Sequence, residues 1–320
     1  MIAAFIDALA EACAANASML VINGDCGPAE IERLRASAPS QYINGGIAEA
    51  NLVGVAAGLA AAGLRPVVYS IAAFLTGRAF EQIRVDIGLQ NLDVKLVGIG
   101  AGVSLAGMGA THYAIDDIAL MRMVNGMTIL LPADSNDARG ALTAMLGHRG
   151  PTYLRLTSGN IKSTLKPESF VIGQPRRVRA GSDLVIVTGG SMLHDSIAAA
   201  DVLARQGVEA AIVGLRNLGD ANNVEIANAV GNHRRVLTVE DHRVETGIGS
   251  AVAAALLSRG HRFAIRQLGI ASDPAGVHGP VDAVKRHFGI DTASIVAAAH
   301  ALLTICDGSP YTQRPEVLHG

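Results

Sequence analysis

The sequence predicts an α/β protein of two doubly wound domains, and three observations carry that reading. Short apolar strands alternate with helices along most of the chain, a Gly-, Pro- and Lys-containing stretch between 158 and 181 interrupts the alternation once, and 320 residues, half of them hydrophobic, suffice for two cores. The expected division is a larger α/β unit over 1–160, a linker over 161–180, a smaller α/β unit over 181–307 and a flexible tail over 308–320.

Residues 2–15 repeat apolar positions at helical spacing, and 18–22 is a short apolar strand ending at Asn23-Gly24-Asp25. A second short strand around Tyr42 and Ile43 leads into a helix that begins at Glu49 and is closed by Gly63. Then follow a buried strand over 66–71, a helix over 74–89, a strand over 94–99, a helix over 116–124, a strand over 128–131, a helix over 135–146 and a strand over 152–156. Such alternation makes a parallel sheet covered on both faces. After the linker it resumes with strands over 184–187, 210–215, 236–239 and 263–268, separated by helices over 192–206, 223–230 and 249–258 and closed by helices near 281–288 and 292–303.

A net charge of −2 without any basic run excludes an electrostatic nucleic-acid or anionic-membrane surface. The uncharged run 50–64 is too short and too glycine-broken to span a bilayer, and an N-terminus with Asp7 and Glu11 but no early Lys or Arg does not read as a signal peptide. A soluble, cytoplasmic protein is expected. Cys13, Cys26 and Cys306 form no CxxC pair and read as reduced, mostly buried thiols; no metal-ligand cluster stands out.

In parallel sheets ligands bind beyond the carboxyl ends of the strands. The candidate loops are those around Asp25, 46–49, 71–74, 100–112 and Ser158. Glu49 opens a helix with no second charge before Arg65, rich enough in small apolar residues to be buried on most faces. A first-turn acid complements the positive end of the helix dipole, but a buried carboxylate also needs a partner. His112 reads as a capping residue or a site histidine, Asp25 as a turn residue or a site acid, Phe80 as core or slot wall, and His194 as a structural or interface residue.

Four fragments in order carry a resemblance: Asn44 to Gly54, which holds Gly45-Gly46-Ile47-Ala48-Glu49; Tyr69 to Arg84, which holds Ile71, Phe74, Arg78 and Phe80; Gly109-Ala110-Thr111-His112 with Asp116-Asp117-Ile118-Ala119; and Pro132-Ala133-Asp134. The first domain resembles the pyrimidine-binding domain of the transketolase family. The second, with Val239-Glu240-Asp241-His242 and Thr246-Gly247-Ile248-Gly249-Ser250, resembles the C-terminal domain of the same family.

The resemblance implies a thiamine fold and thiamine diphosphate chemistry with Mg²⁺. It implies that Glu49 hydrogen-bonds the pyrimidine ring nitrogen, in an apolar slot that favours its protonated form, and so drives the tautomer change that activates the cofactor. It further implies that Phe74 stacks on the pyrimidine, that Ile71 and Phe80 complete the slot, that Asp25 lies near the cofactor, and that His112 acts on the reacting carbon of the donor. Gly24-Asp25-Cys26 with Asn51 only imitates the family's diphosphate and metal motif, which is expected instead on an N-terminal, diphosphate-binding partner subunit in an α2β2 assembly.

Three departures concern the substrate. A basic residue of the sugar-phosphate enzymes is replaced by Gly100, an Arg by Ser158, and an Asp that reads a substrate hydroxyl by Met108. Two lost cations predict an acceptor other than a standard sugar phosphate. The expected activity is therefore that of the C-terminal subunit of a split transketolase, moving a two-carbon ketol unit from a ketose or 2-oxo acid donor to an aldehyde acceptor. The beta subunit of the first component of a 2-oxoacid dehydrogenase, and a non-catalytic scaffold, are the alternatives.

Overall fold

The computed structural model describes residues 1–304 except 28, 160, 162, 164, 166 and 220–222. Cys306 and the expected tail over 308–320 lie outside the described residues, as do Asn160, Lys162 and Lys166 of the linker region.

The first unit contains α1 (Ile2–Ala15), β1 (Met19–Asn23), α2 (Ala29–Ser37), β2 (Tyr42–Asn44), α3 (Glu49–Ala61), β3 (Arg65–Ile71) and α4 (Ala72–Arg78). It continues with α5 (Phe80–Gln82), β4 (Lys95–Ile99), α6 (Asp117–Arg122), β5 (Thr128–Leu130), α7 (Ser135–Gly147) and β6 (Thr152–Leu156). The second contains β7 (Arg176–Arg179), β8 (Leu184–Gly189), α8 (Met192–Arg205), β9 (Ala210–Leu215), β10 (Asn217–Leu218) and α9 (Asn223–Val230). It closes with β11 (Arg235–Arg243), α10 (Ile248–Ser258), β12 (Ala264–Ile270), α11 (Val281–His287) and α12 (Thr292–Leu303).

Among the described residues, seven strands form the first sheet in the order β10-β5-β6-β4-β3-β1-β2, and five form the second in the order β12-β11-β8-β9-β7. Among these strands, all pairings are parallel except those of the two edge strands β10 and β7. The central strands β4 and β6 are buried along their whole length, as expected where helices cover both faces.

Three expectations are corrected. The segment 161–180 is not all linker, because Arg176–Arg179 pairs antiparallel with β9 as an edge strand. The boundary between the units is crossed, because Asn217 and Leu218 pair with Leu130 and Ile129 and so extend the first sheet. The helix over 74–89 is broken: α4 ends at Arg78, α5 is short, and Ile83–Gly88 is a π-helical turn, an irregularity frequent near functional sites.

One apolar cluster runs through both units, bringing Ile118, Met121 and Leu131 together with Val187, Leu215, Ile248 and Val252. The pair therefore folds around a shared interior rather than across a wet interdomain gap. Cys13 and Cys26 are free thiols. Among the described residues no helix is long and apolar enough to cross a membrane.

Candidate active site

Parallel pairing of β1, β3, β4 and β6 brings the loops that follow them to one edge of the sheet. The loop after β2 delivers the chain into α3, whose buried residues Glu49, Leu52, Val53, Ala56 and Ala57 follow helical spacing. Asn51, Val55 and Gly58 on the other side are exposed, so this helix is covered on one face rather than on most. Leu52 and Val53 anchor it in the core, and Glu49, 1% exposed, is carried inward with them at the first turn.

Both carboxylate oxygens of Glu49 have partners. Oε1 accepts from the Ser70 hydroxyl at 3.3 Å, and Oε2 accepts from Arg78 Nη1 at 2.5 Å. Ser70 comes from the end of β3 and Arg78 from the last turn of α4. The purely apolar slot expected around Glu49 is thus corrected: a half-exposed guanidinium closes it.

Arg78 also connects the acid to the aromatic side of the site. Its guanidinium carbon lies 4.7 Å from the centroid of the Phe74 ring, one helical turn away. The Phe74 ring in turn meets the His112 ring edge-on, with centroids 5.0 Å apart at 66°. Thr111 Oγ1 stands 2.9 Å from His112 Nδ1 and orients that ring. Three segments distant in sequence are therefore joined into one line, Glu49, Arg78, Phe74 and His112.

The other expected residues surround it unequally. Ile71 is half-buried at the entry to α4 and packs against the core on the far side of the sheet. Phe80 packs against the cluster that contains Leu52, Val53 and Leu75. Asp25, in the left-handed region at φ 51°, accepts from Asn44 Nδ2 at 2.9 Å and ties the loop after β1 to the end of β2. Its neighbour Cys26 has its thiol pushed up to about 11, chiefly by burial, with the charges of Glu49 and Asp25 adding to it. It stays protonated near neutrality and is not a nucleophile there.

The positions expected to meet the acceptor carry neutral residues, although Ser158 lines a cavity that also holds Asp195, Asp241 and Lys285. Gly100 has φ +79°, and a Cβ there would lie 2.4 Å from Leu105 Cδ1, so Leu105 fills the space that a longer side chain requires. The Ser158 backbone N–H donates to Ser104 Oγ at 3.2 Å, which folds that loop onto the same segment. Met108 is 60% exposed on the loop that carries His112. His194 stands 3.2 Å from the Ala133 carbonyl through Nε2, so it is a contact between the two units, as expected. No group of three or more His, Cys, Asp and Glu side chains among the described residues is arranged to hold a metal ion.

Sequence reasoning missed a buried charge network behind this site. Arg155 donates to Asp117 Oδ2 through Nε at 2.8 Å and to Asp241 Oδ1 through Nη1 at 2.7 Å, while the Tyr153 hydroxyl donates to Asp117 Oδ2 at 2.8 Å. Burial opposes the charged guanidinium, but Asp117 and Asp241 outweigh it and hold Arg155 above its ordinary range. Beside it, Glu240 accepts from the backbone N–H groups of Ile248 and Gly249 at the start of α10, at 2.5 and 2.9 Å. The available signal was Arg155 inside the otherwise uncharged, fully buried strand 152–156, and the acidic pair Glu240-Asp241 following the apolar run 236–239.

The comparisons with known proteins agree with this architecture. The family described as transketolase, pyrimidine binding domain, matches residues 1–163, and transketolase, C-terminal domain, matches residues 173–295. A relative from Actinobacillus succinogenes, named as one of the subunits of an apulose-4-phosphate transketolase, is 33% identical over 265 residues, covering 82% of this chain and 85% of its own. A 6-deoxy-6-sulfo-D-fructose transketolase subunit from a Clostridium species is 32% identical over 298 residues, covering 92% of each. A solved structure titled split gene transketolase, inactive beta4 tetramer, superposes with a TM-score of 0.84 at 32% identity over 94% of this chain and 97% of that one. The chain belongs to the transketolase family and carries that family's pyrimidine-binding and C-terminal domains.

Proposed function

We propose that this chain is the C-terminal subunit of a split, thiamine diphosphate-dependent transketolase. The observation that carries the reading is the line of Glu49, Arg78, Phe74 and His112 on the carboxyl edge of the first sheet. The donor set suits an aminopyrimidine ring, with one buried carboxyl for a ring nitrogen and the aromatic face of Phe74 for stacking. The bound cofactor would supply the nucleophilic carbon that ketol transfer needs.

The chain's own residues prepare that chemistry. Glu49 would hold or release the proton at its carboxyl group, which Ser70 and Arg78 orient by hydrogen bonds to Oε1 and Oε2. Phe74 orients both the ring and His112, and His112 polarises or exchanges a proton with the donor's oxygen, its tautomer biased by Thr111. Magnesium and the diphosphate are assigned to an N-terminal partner subunit, in an α2β2 complex whose interface includes the exposed, small-residue face of α3.

The donor is a ketose or 2-oxo acid and the acceptor an aldehyde. Leu105 against Gly100, and Ser158 in place of a cation, support an acceptor that does not present a phosphate where the standard sugar-phosphate enzymes bind it. Of the substrates in the relatives' names, 6-deoxy-6-sulfo-D-fructose carries no phosphate and apulose-4-phosphate carries one.

The test is magnesium-dependent thiamine diphosphate binding by calorimetry, on this chain alone and together with the partner subunit, followed by ketol transfer in the mixture. Binding and transfer only in the mixture are expected, with Glu49→Ala lowering turnover by at least about 100-fold, the scale of a lost general acid or base. Tight binding by this chain alone, or unchanged turnover in Glu49→Ala, overturns the reading.

A further inference from the structure

The loop that carries Met108 and His112 is built into the second domain. Val103, Ala106, Tyr113 and Ile115 belong to the same apolar cluster as Leu237, Val239, Ile270 and Val284, so the inward side of the loop is core of the other unit. Its backbone is stitched there at several points. The Tyr113 hydroxyl donates to the Val277 carbonyl at 2.7 Å, the Gly279 N–H donates to the Ala106 carbonyl at 3.1 Å, and the Arg243 N–H donates to the Ile115 carbonyl at 2.9 Å.

Charge closes the two ends of the loop. Gly102, at φ +59°, lies so close to β11 that a Cβ there would stand 1.8 Å from Asp241 Oδ2. Arg155 Nη2 donates to the Ala114 carbonyl at 3.0 Å and to the Asp241 carbonyl at 3.2 Å, while Arg243 Nε donates to Asp116 Oδ1 at 2.6 Å. Opposite these anchors, Met108 and His112 face outward to solvent and to Phe74.

From this arrangement we infer that the second domain is a jig for the substrate loop, and that Tyr113, through Val277, is a positioning residue for His112. The inference rests on the role given to His112 above. Displacing a reacting group by about 1 Å costs up to roughly 100-fold in rate, so a loop held by another domain's core makes that domain part of the active-site geometry without touching substrate.

Tyr113→Phe removes the hydroxyl and keeps the ring in its buried seat; Arg243→Ala cuts the half-exposed tether to Asp116. Each full-length variant is assembled with the partner subunit, and kcat, KM for donor and acceptor, cofactor affinity and amide hydrogen exchange over 102–116 are measured. The expected result for Tyr113→Phe is exchange at least tenfold faster across that loop, with the rest of the first sheet unchanged. The same variant is expected to show a fall of about tenfold in kcat/KM and cofactor affinity within twofold of the parent; Arg243→Ala is expected to move in the same direction by less.

Loop exchange and kcat/KM both within twofold of the parent in Tyr113→Phe overturn the proposal, and so does a loss of kcat/KM matched by slower or unchanged loop exchange. If the parent complex shows no ketol transfer, the functional reading falls. The exchange measurement still decides whether the second domain holds the loop.

Discussion

Arg78 and Glu49 face each other at 2.5 Å across the mouth of the candidate site, one half exposed and the other 1% exposed. Because the arginine also lies over Phe74, the pair sets the shape of the slot as well as its charge.

A double-mutant cycle measures that pair. Arg78→Met is expected to lower the stability of the isolated chain by about 1 kcal/mol, a modest figure because solvent reaches the guanidinium, and to cost almost nothing in a Glu49→Gln background. Equal costs in both backgrounds, read from urea denaturation, mean that the two side chains do not couple.

Arg155 is a different case, since it neutralises Asp117 and Asp241 in the interior. Arg155→Met leaves two buried carboxylates without their cation and is expected to cost about 3–5 kcal/mol, with much of the protein lost to aggregation. Arg155→Lys restores the charge but only part of the fork, and should fall between. A methionine variant with the parent's denaturation midpoint contradicts the network's structural role.

Ser158→Arg returns a cation to the acceptor end. The ratio of kcat/KM for a phosphorylated over an unphosphorylated aldehyde should rise by roughly 10- to 100-fold, from about 1.5–3 kcal/mol per charge-assisted hydrogen bond. Gly100→Arg should instead destabilise the fold, because φ +79° and Leu105 both oppose a side chain there. An unmoved ratio in Ser158→Arg places the acceptor's tail elsewhere.

Glu240 makes stability depend on pH. Burial pushes its carboxyl up to about 8 from an ordinary 4.5, against the two backbone N–H groups that favour the ionised form. The folded state then holds a proton that the unfolded chain has released, so this contribution is full below about 4.5 and is lost as pH rises through about 8. The melting temperature of the parent should fall between about pH 4.5 and 8, and Glu240→Gln should show a shallower fall. Parallel curves assign the loss to other groups.

The alternation of strands and helices, the place of Glu49 at the first turn of α3 and the family fragments around Phe74 and His112 were all legible in the chain itself. Hydrophobic spacing and local motifs encode them, and tertiary contacts only had to respect them. Arg78 was in plain view four residues after Phe74, yet its partner was not, because Glu49 lies on another helix and meets it only when β3 and α3 pack. The same holds for Arg155 with Asp117 and Asp241, for the two-residue strand Asn217–Leu218 that crosses into the first sheet, and for the second domain's hold on the loop of His112. Each joins residues far apart in sequence through charge, a ladder pairing, or apolar packing and hydrogen bonds between the domains. Such contacts carry no period, so only the folded arrangement of the two domains decides them.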